Sequence, residues 1–389
     1  MRRQQICSQR RNPIVSQIRT FGSNSSGFGK FMHNLPECCG GHRVLQVASA
    51  TTSHLSIPPS TSPSLSWSTS FRSASELATA LSRLGKSFDV LQLSAGPLQG
   101  HFSVVHLKDL SIISIQTNQL LLLNGERGSD SITFSLETSG NFDDHRIFCR
   151  AIEPHSLHGF KPDLNESHFQ LTAGSTTVIA ITSAKKFCSF LECYGELELL
   201  ENLYTCNSLR LNPEQYSKVS KQLLWYLNNP LNNAELRSMH TGHIFTLMLE
   251  AFKSTDEENF KSFEIAPRQK LIYELINWGF ENSSNPVRLD EISNILFSSR
   301  RTLIQGCKEN FNIGPMELLR LIRLEEVNFH LRCSELRAAL DLKKVGDIAN
   351  HFGFSSRGHF SAAYQNHFGE TPRQTLSKAN AQQAMDVKA

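Results

Sequence analysis

Residues 345–372 read VGDIANHFGFSSRGHFSAAYQNHFGETP, an order of residues that suits few backbones. Val345, Ile348, Ala349 and Phe352 recur at helical spacing and supply one buried face. Gly353 offers the positive φ that a tight turn between two helices requires. Ser355 or Ser356 then caps the next helix by accepting a backbone N–H. Phe360, Tyr364 and Phe368 form that helix's apolar stripe, Gly369 stops it and Pro372 lies just beyond. The same grammar occurs once earlier, at 289–315: LDEISNILFSSRRTLIQGCKENFNIGP. There Leu289, Ile292 and Ile295 pack the first helix. Ser298 or Ser299 caps the second, and Leu303, Cys307 and Phe311 are its buried stripe. Two helix-turn-helix units on one chain predict a DNA reader with two recognition helices.

The phrases SSRRTL, IGPMELLRLIRLEEV, VGDIANHFGFSS, HFSAAY and HFGETP agree in spacing, glycines and terminal proline. Through them, residues 267–376 resemble the AraC/XylS family of bacterial transcription regulators. LQLSAGPLQGHFSVVHLKDLSII, within 87–140, is similar to the sensor half of the ethanolamine-utilisation branch, and IGPMELLRLIRL fits that branch as well. The family resemblance implies a cupin-like barrel ahead of the helix-turn-helix region. It also implies helices that commonly pair two subunits, and more often an activator than a repressor.

Bulk properties narrow the classes. Net charge is +3, and residues 267–378 hold fifteen Lys+Arg against twelve Asp+Glu. A DNA-binding module this neutral needs a local basic face, because phosphate neutralisation supplies much of the affinity. The nine cysteines show no CxxC pair. That favours reduced, packing cysteines and a cytoplasmic setting, and speaks against zinc. Unbroken apolar runs such as 120–123 are far short of a membrane span. The first 75 residues carry one acid, Glu37, against eight Lys+Arg. Residues 1–36 pass for a transit peptide by composition, but the bland reading is an unstructured tail or an upstream start codon.

The expected fold is α+β: a β-rich, cupin-like sensor domain, then an all-α domain with two helix-turn-helix motifs joined by a linker helix. Residues 1–73 read as disordered tail and linker, the latter through the Ser/Thr/Pro-rich 51–70. Period-two runs at 88–93, 101–107, 110–115, 120–123, 131–136, 146–152, 168–171 and 176–182 put the sensor at 74–190. A helical dimerisation or connector region follows at 191–266, with helices expected over 189–204, 212–227 and 234–253. The DNA-binding domain covers 267–378, and 379–389 is a C-terminal tail.

An α-helix fits the major groove of B-DNA, and the N-terminal part of a recognition helix faces base edges. With Leu303, Cys307 and Phe311 inward, Arg300, Arg301, Thr302, Gln305 and Lys308 point outward. Arg301 and Gln305, four apart, share one face, and the resemblance places them at base-contact positions. Arginine pairs bidentately with guanine and glutamine with adenine. Gly306 costs the helix about 1 kcal/mol against alanine and leaves a bare spot on or near the DNA face. In the second motif the outward set is Ser356, Arg357, Gly358, Ser361, Ala362 and Gln365, with Arg357 and Ser361 the base-facing pair. Ala362 stands where many relatives carry arginine, so this helix is expected to grip less. Ser299, Lys308, Arg320, Arg323, Lys344 and His359 are candidates for phosphate contact, while Glu325 and Glu326 oppose a basic linker helix at 315–331.

His155 and His158, with Glu153 near by, and His101 and His106 on an expected strand raise a cupin metal site, but the full metal-binding spacing is incomplete. No nucleophile motif or phosphate loop appears. The resulting expectation is a sequence-specific regulator with no catalytic residue, cofactor or metal. Its partners are double-stranded DNA through the major groove, RNA polymerase, an unidentified small effector and a second copy of itself, with no membrane. The alternatives are a metal-dependent cupin enzyme fused to a DNA-binding module, or a constitutive DNA-binding protein whose barrel only dimerises.

Overall fold

Alternating apolar and polar residues lay down most of the first half as strands. A computed structural model describes residues 66–128, 130–140 and 145–386. Strand β1 (Ser66–Phe71) leads into helix α1 (Ala74–Ser82). Then come β2 (Ser87–Gln92), β3 (Gly100–His106), β4 (Leu110–Thr117), β5 (Leu121–Glu126) and β6 (Ser131–Ser139). They are followed by β7 (Arg146–Ile147), β8 (Arg150–Ala151), β9 (Ser156–His158), β10 (Glu166–Leu171) and β11 (Ser175–Ser183). Helices α2 (Ala184–Cys193) and α3 (Leu197–Thr205) precede β12 (Cys206–Arg210), α4 (Pro213–Asn228), α5 (Ala234–Lys253) and β13 (Phe260–Ser262). The remainder is helical: α6 (Pro267–Glu281), α7 (Leu289–Ile295), α8 (Arg300–Phe311), α9 (Pro315–Arg332), α10 (Ser334–Ala339), α11 (Val345–His351), α12 (Arg357–Phe368) and α13 (Pro372–Asp386).

The strands form two antiparallel sheets, ordered β1-β3-β4-β11-β6-β9-β12-β13 and β2-β5-β10-β7-β8. Side-chain alternation gives each sheet two faces, and the three buried clusters use them in turn. Phe102, Val104, Ile113, Ile115 and Ile179 of the large sheet meet Val90, Leu121, Leu123 and Leu171 of the small one. The other face of the large sheet, with Ile112, Phe134, Leu136 and Val178, packs on Phe187, Leu223, Tyr226 and Phe252 of the helices. The other face of the small sheet sends Leu91 and Leu122, joined by Cys149, into the core of the helix-turn-helix region. Sheet and reader therefore share one apolar core.

Several expectations change. The sheet starts at Ser66, inside the stretch read as linker. Its Ser/Thr-rich composition hides a strand whose Trp67 pairs with Val104 and packs on the Phe102 ring at 5.3 Å. The connector region contributes two strands, β12 and β13, because Cys206, Asn207 and Leu209 are buried against the large sheet. Gly195 splits the helix expected at 189–204 into α2 and α3. The strand expected at 146–152 is a hairpin of two-residue strands. The C-terminal tail is helical as far as Asp386. The tail reading of 1–65, with the transit-peptide reading of 1–36, lies outside the described residues.

Candidate nucleic-acid interface

Both helix-turn-helix units form, for the local reasons the residues supply. In the first, Ile292 is fully buried and Ile295 is exposed, so half-buried Leu296 does the packing expected of Ile295. Ser299 caps α8 by accepting from the Thr302 N–H at 3.1 Å, an interaction that stabilises a helix by about 1 kcal/mol. Leu303 and Cys307 are fully buried and Phe311 packs at the edge. In the second unit Gly353 takes φ +79° and Gly369 φ +73°, the left-handed values that close the turn and end the helix. Ser356 occupies the cap position of α12 without making the side-chain bond expected of it. Tyr364 is fully buried and donates to Thr375 at 2.9 Å.

Gly306 is where the sequence misleads most. It faces inward, against α6, and not toward the DNA side. A Cβ there would lie 2.7 Å from Ile272 Cδ1 and 3.2 Å from Arg268 Cγ. The glycine is therefore the contact that lets α6 and α8 approach. Arg268, brought close in this way, donates to both Glu309 oxygens at 2.7 and 2.9 Å. Gln305 donates from Nε2 to the same carboxylate at 2.9 Å. Hydrogen bonds from Arg268 and then Gln305 hold the Glu309 carboxyl below its ordinary range.

The exposed side of α8 carries Arg301, Gln305 and Lys308, as expected, together with Ile304, which is 36% exposed. An isoleucine among polar neighbours on that face is a signal the apolar-stripe argument passes over. Glu309, four residues beyond Gln305, was open to the same spacing argument. Arg268, forty-one positions upstream, left no local trace. The remaining candidates divide. Arg300 is engaged by Asp290 of α7, and the Thr302 hydroxyl meets Ser299 at 2.8 Å. On α12, Ser356, Arg357, His359, Ser361 and Gln365 are all exposed. Lys344 stands exposed at the start of α11.

The linker helix α9 differs from expectation. It is largely buried. Arg320 is paired with Glu317, and Arg323 lies over the Phe354 ring, 5.5 Å from its centroid. Neither projects as a free cation. Glu325 is buried and accepts from Gln92 N at 3.4 Å. It therefore faces the small sheet instead of opposing DNA. Burial pushes its carboxyl up to about 7, and that of Glu326 up to about 8. The second recognition helix is also tied to the sheet. His367 Nε2 donates to Gln92 O at 3.1 Å, Gly96 N donates to His367 O at 2.8 Å, and Gly369 sits against Pro97. Arg332 reaches Glu370 at 3.1 Å and Glu76 of α1 at 3.5 Å.

Elsewhere, His158 is buried in β9 while His155 lies over the Tyr216 ring at 5.1 Å. Among the described residues no group of three or more His, Cys, Asp or Glu is arranged to hold a metal. Among them, too, no helix is long and apolar enough to cross a membrane.

Residues 292–378 match the family model described as a helix-turn-helix domain. The chain is 32% identical over 127 residues to the HTH-type transcriptional activator RhaS of Escherichia coli O157:H7, covering 33% of this chain and 41% of the relative. It thus spans well under half the length of the curated relatives it matches. A solved transcriptional regulator with an AraC-type DNA-binding domain, from Chromobacterium violaceum, is 28% identical over 28% of this chain and 93% of its own, with a TM-score of 0.26. ToxT of Vibrio cholerae is 14% identical over 75% of this chain and 97% of its own, with a TM-score of 0.27. Through its two helix-turn-helix units, the C-terminal region of this chain is similar to the helix-turn-helix regions of AraC-type transcription regulators.

Proposed function

We propose that this chain is a cytoplasmic, sequence-specific DNA-binding regulator, most simply an activator, whose β-rich domain takes a small effector. The observation that carries the reading is the outward face of α8. Arg301, Gln305 and Lys308 stand exposed on a capped helix whose opposite side buries Leu303 and Cys307 fully. Arg301 is suited to guanine O6 and N7, and Lys308 to phosphate. Arg357, Ser361 and Gln365 form the second, weaker reading set, with Lys344 and His359 on the backbone beside it. Helix α9, of eighteen residues, spans about 27 Å and sets the two readers toward successive major-groove turns, roughly 34 Å apart.

The effector reading has support inside the sheet pair. Thr177 is paired with Ile115, which faces the interior. Thr177 donates to Glu137 at 2.7 Å, and His145 Nε2 lies 3.1 Å from the same carboxylate. A buried polar group of this kind suits a small polar ligand better than a sealed apolar core. Its influence would reach α12 through Gln92 and His367. It can act only through different affinities for two arrangements of sheet and reader. Exposed Trp225, Leu236 and Met239 on α4 and α5 suit a second copy of the chain, and RNA polymerase is the partner an activator requires. The test is selection of binding sites from random DNA with the full chain, then titration of the recovered site at several salt concentrations. Binding to every sequence alike, with a steep salt dependence, would refute specific reading.

A further inference from the structure

The Arg268–Glu309–Gln305 chain does more than decorate α8. A carboxylate only accepts hydrogen bonds, so the Gln305 group facing Glu309 is the amide NH2. That bond, at 2.9 Å, uses one of two N–H donors. Oε1 and the second N–H stay free, which is the pair adenine needs at N6 and N7. Glu309 is itself fixed by two bonds from Arg268, and Arg268 is in reach because Gly306 lets α6 approach. Ile304, beside Gln305 on the same exposed side, presents methyl groups where a thymine C5 methyl can pack.

Resting on the DNA-reading function proposed above, we infer that Glu309 is a positioning residue that orients Gln305 to read adenine, and that Ile304 reads a neighbouring thymine methyl. Pre-organisation of this kind sharpens selectivity because the amide need not be ordered on binding. The carboxylate sits one helical turn beyond Gln305, and Arg268 offsets its charge, so its repulsion of phosphates is reduced.

The experiment is site selection from random DNA with the full-length wild type, Glu309→Ala, Glu309→Gln and Ile304→Ala, with thermal melts to confirm folding. The wild type is expected to select adenine at one position with thymine beside it. Glu309→Ala should lower the preference for adenine over guanine there by roughly tenfold while binding to random DNA holds or rises. Glu309→Gln, which keeps an accepting oxygen for both partners, should restore it. Ile304→Ala should cost about fourfold at the thymine, the worth of one buried methyl. Replacing that thymine by deoxyuridine should then weaken wild-type binding and leave Ile304→Ala unaffected. A wild type that selects no motif sinks the DNA-reading function and this inference with it. A wild-type motif that Glu309→Ala and Ile304→Ala both reproduce unchanged overturns this inference alone.

Discussion

The two helix-turn-helix units are written in the same grammar and end in different circumstances. In the first, α8 is capped, closely packed on α6, and exposes Arg301, Ile304, Gln305 and Lys308 on its outer face. In the second, α12 carries exposed Arg357, Ser361 and Gln365, yet its last turn is bonded to Gln92 and Gly96 of the sheet domain. Its buried stripe is equally good, with Phe360 and Tyr364 inside. Local sequence determined that both helices would form. What each helix can do depends on partners far away in the chain. The first unit leaves its outer face open, whereas the second is tied at its last turn to the sheet.

The largest effect should be common to both units. Leu303→Ala and Phe360→Ala each empty a buried site and are expected to cost about 2–5 kcal/mol. Urea unfolding of the full chain measures this, and a much smaller loss at Phe360 would mean that the second unit is loosely packed. Next comes the tie to the sheet. Burial pushes His367 down from the ordinary histidine value to about 4. The folded state therefore binds fewer protons than the unfolded state between those values. Stability is fully present above about pH 6.5 and falls as pH drops toward 4, by about 3 kcal/mol in all. Glu317 and Arg320 of α9 lie near the ring and modulate this value. Buried Glu325 and half-buried Glu326, raised instead, work in the opposite sense: their contribution is fully present below about pH 4.5 and is lost as pH rises to about 7 to 8. Melting curves of wild type and His367→Gln across pH 4–7 separate the first effect, and identical profiles would show that His367 does not anchor α12.

Smaller differences concern DNA. Arg301→Ala should weaken specific binding by about 1–3 kcal/mol and relax one base pair, whereas Gln365→Ala should cost less than half as much. Equal losses would erase the contrast between the units. Lys344→Ala should weaken binding to all sequences alike and reduce the salt slope by about 1.

The sequence announced both helix-turn-helix units because their helices are specified within about thirty residues each. Ser299, Leu303, Cys307, Gly353 and Gly369 could be assigned from neighbours alone. Most strands were legible from alternation, but β1 was masked by serines, and β12 and β13 are too short to show a period. Gly306 reads as an outward position because its partner, Ile272, lies thirty-four positions away. Arg320 and Arg323 looked free because Glu317 and Phe354 were not seen as their partners. For Gly306 and Arg323 the missing piece was a packing contact between elements, which periodicity within one element does not encode; Glu317, three residues before Arg320 in the same helix, lay within reach of the spacing argument.

The most direct test of the central claim is selection from a random DNA pool with full-length wild type and Arg301→Ala, followed by titration of the winning site. The account predicts a motif with half-sites about one helical turn apart, and loss of preference at one base pair in Arg301→Ala. An identical motif and affinity in the two proteins would contradict it.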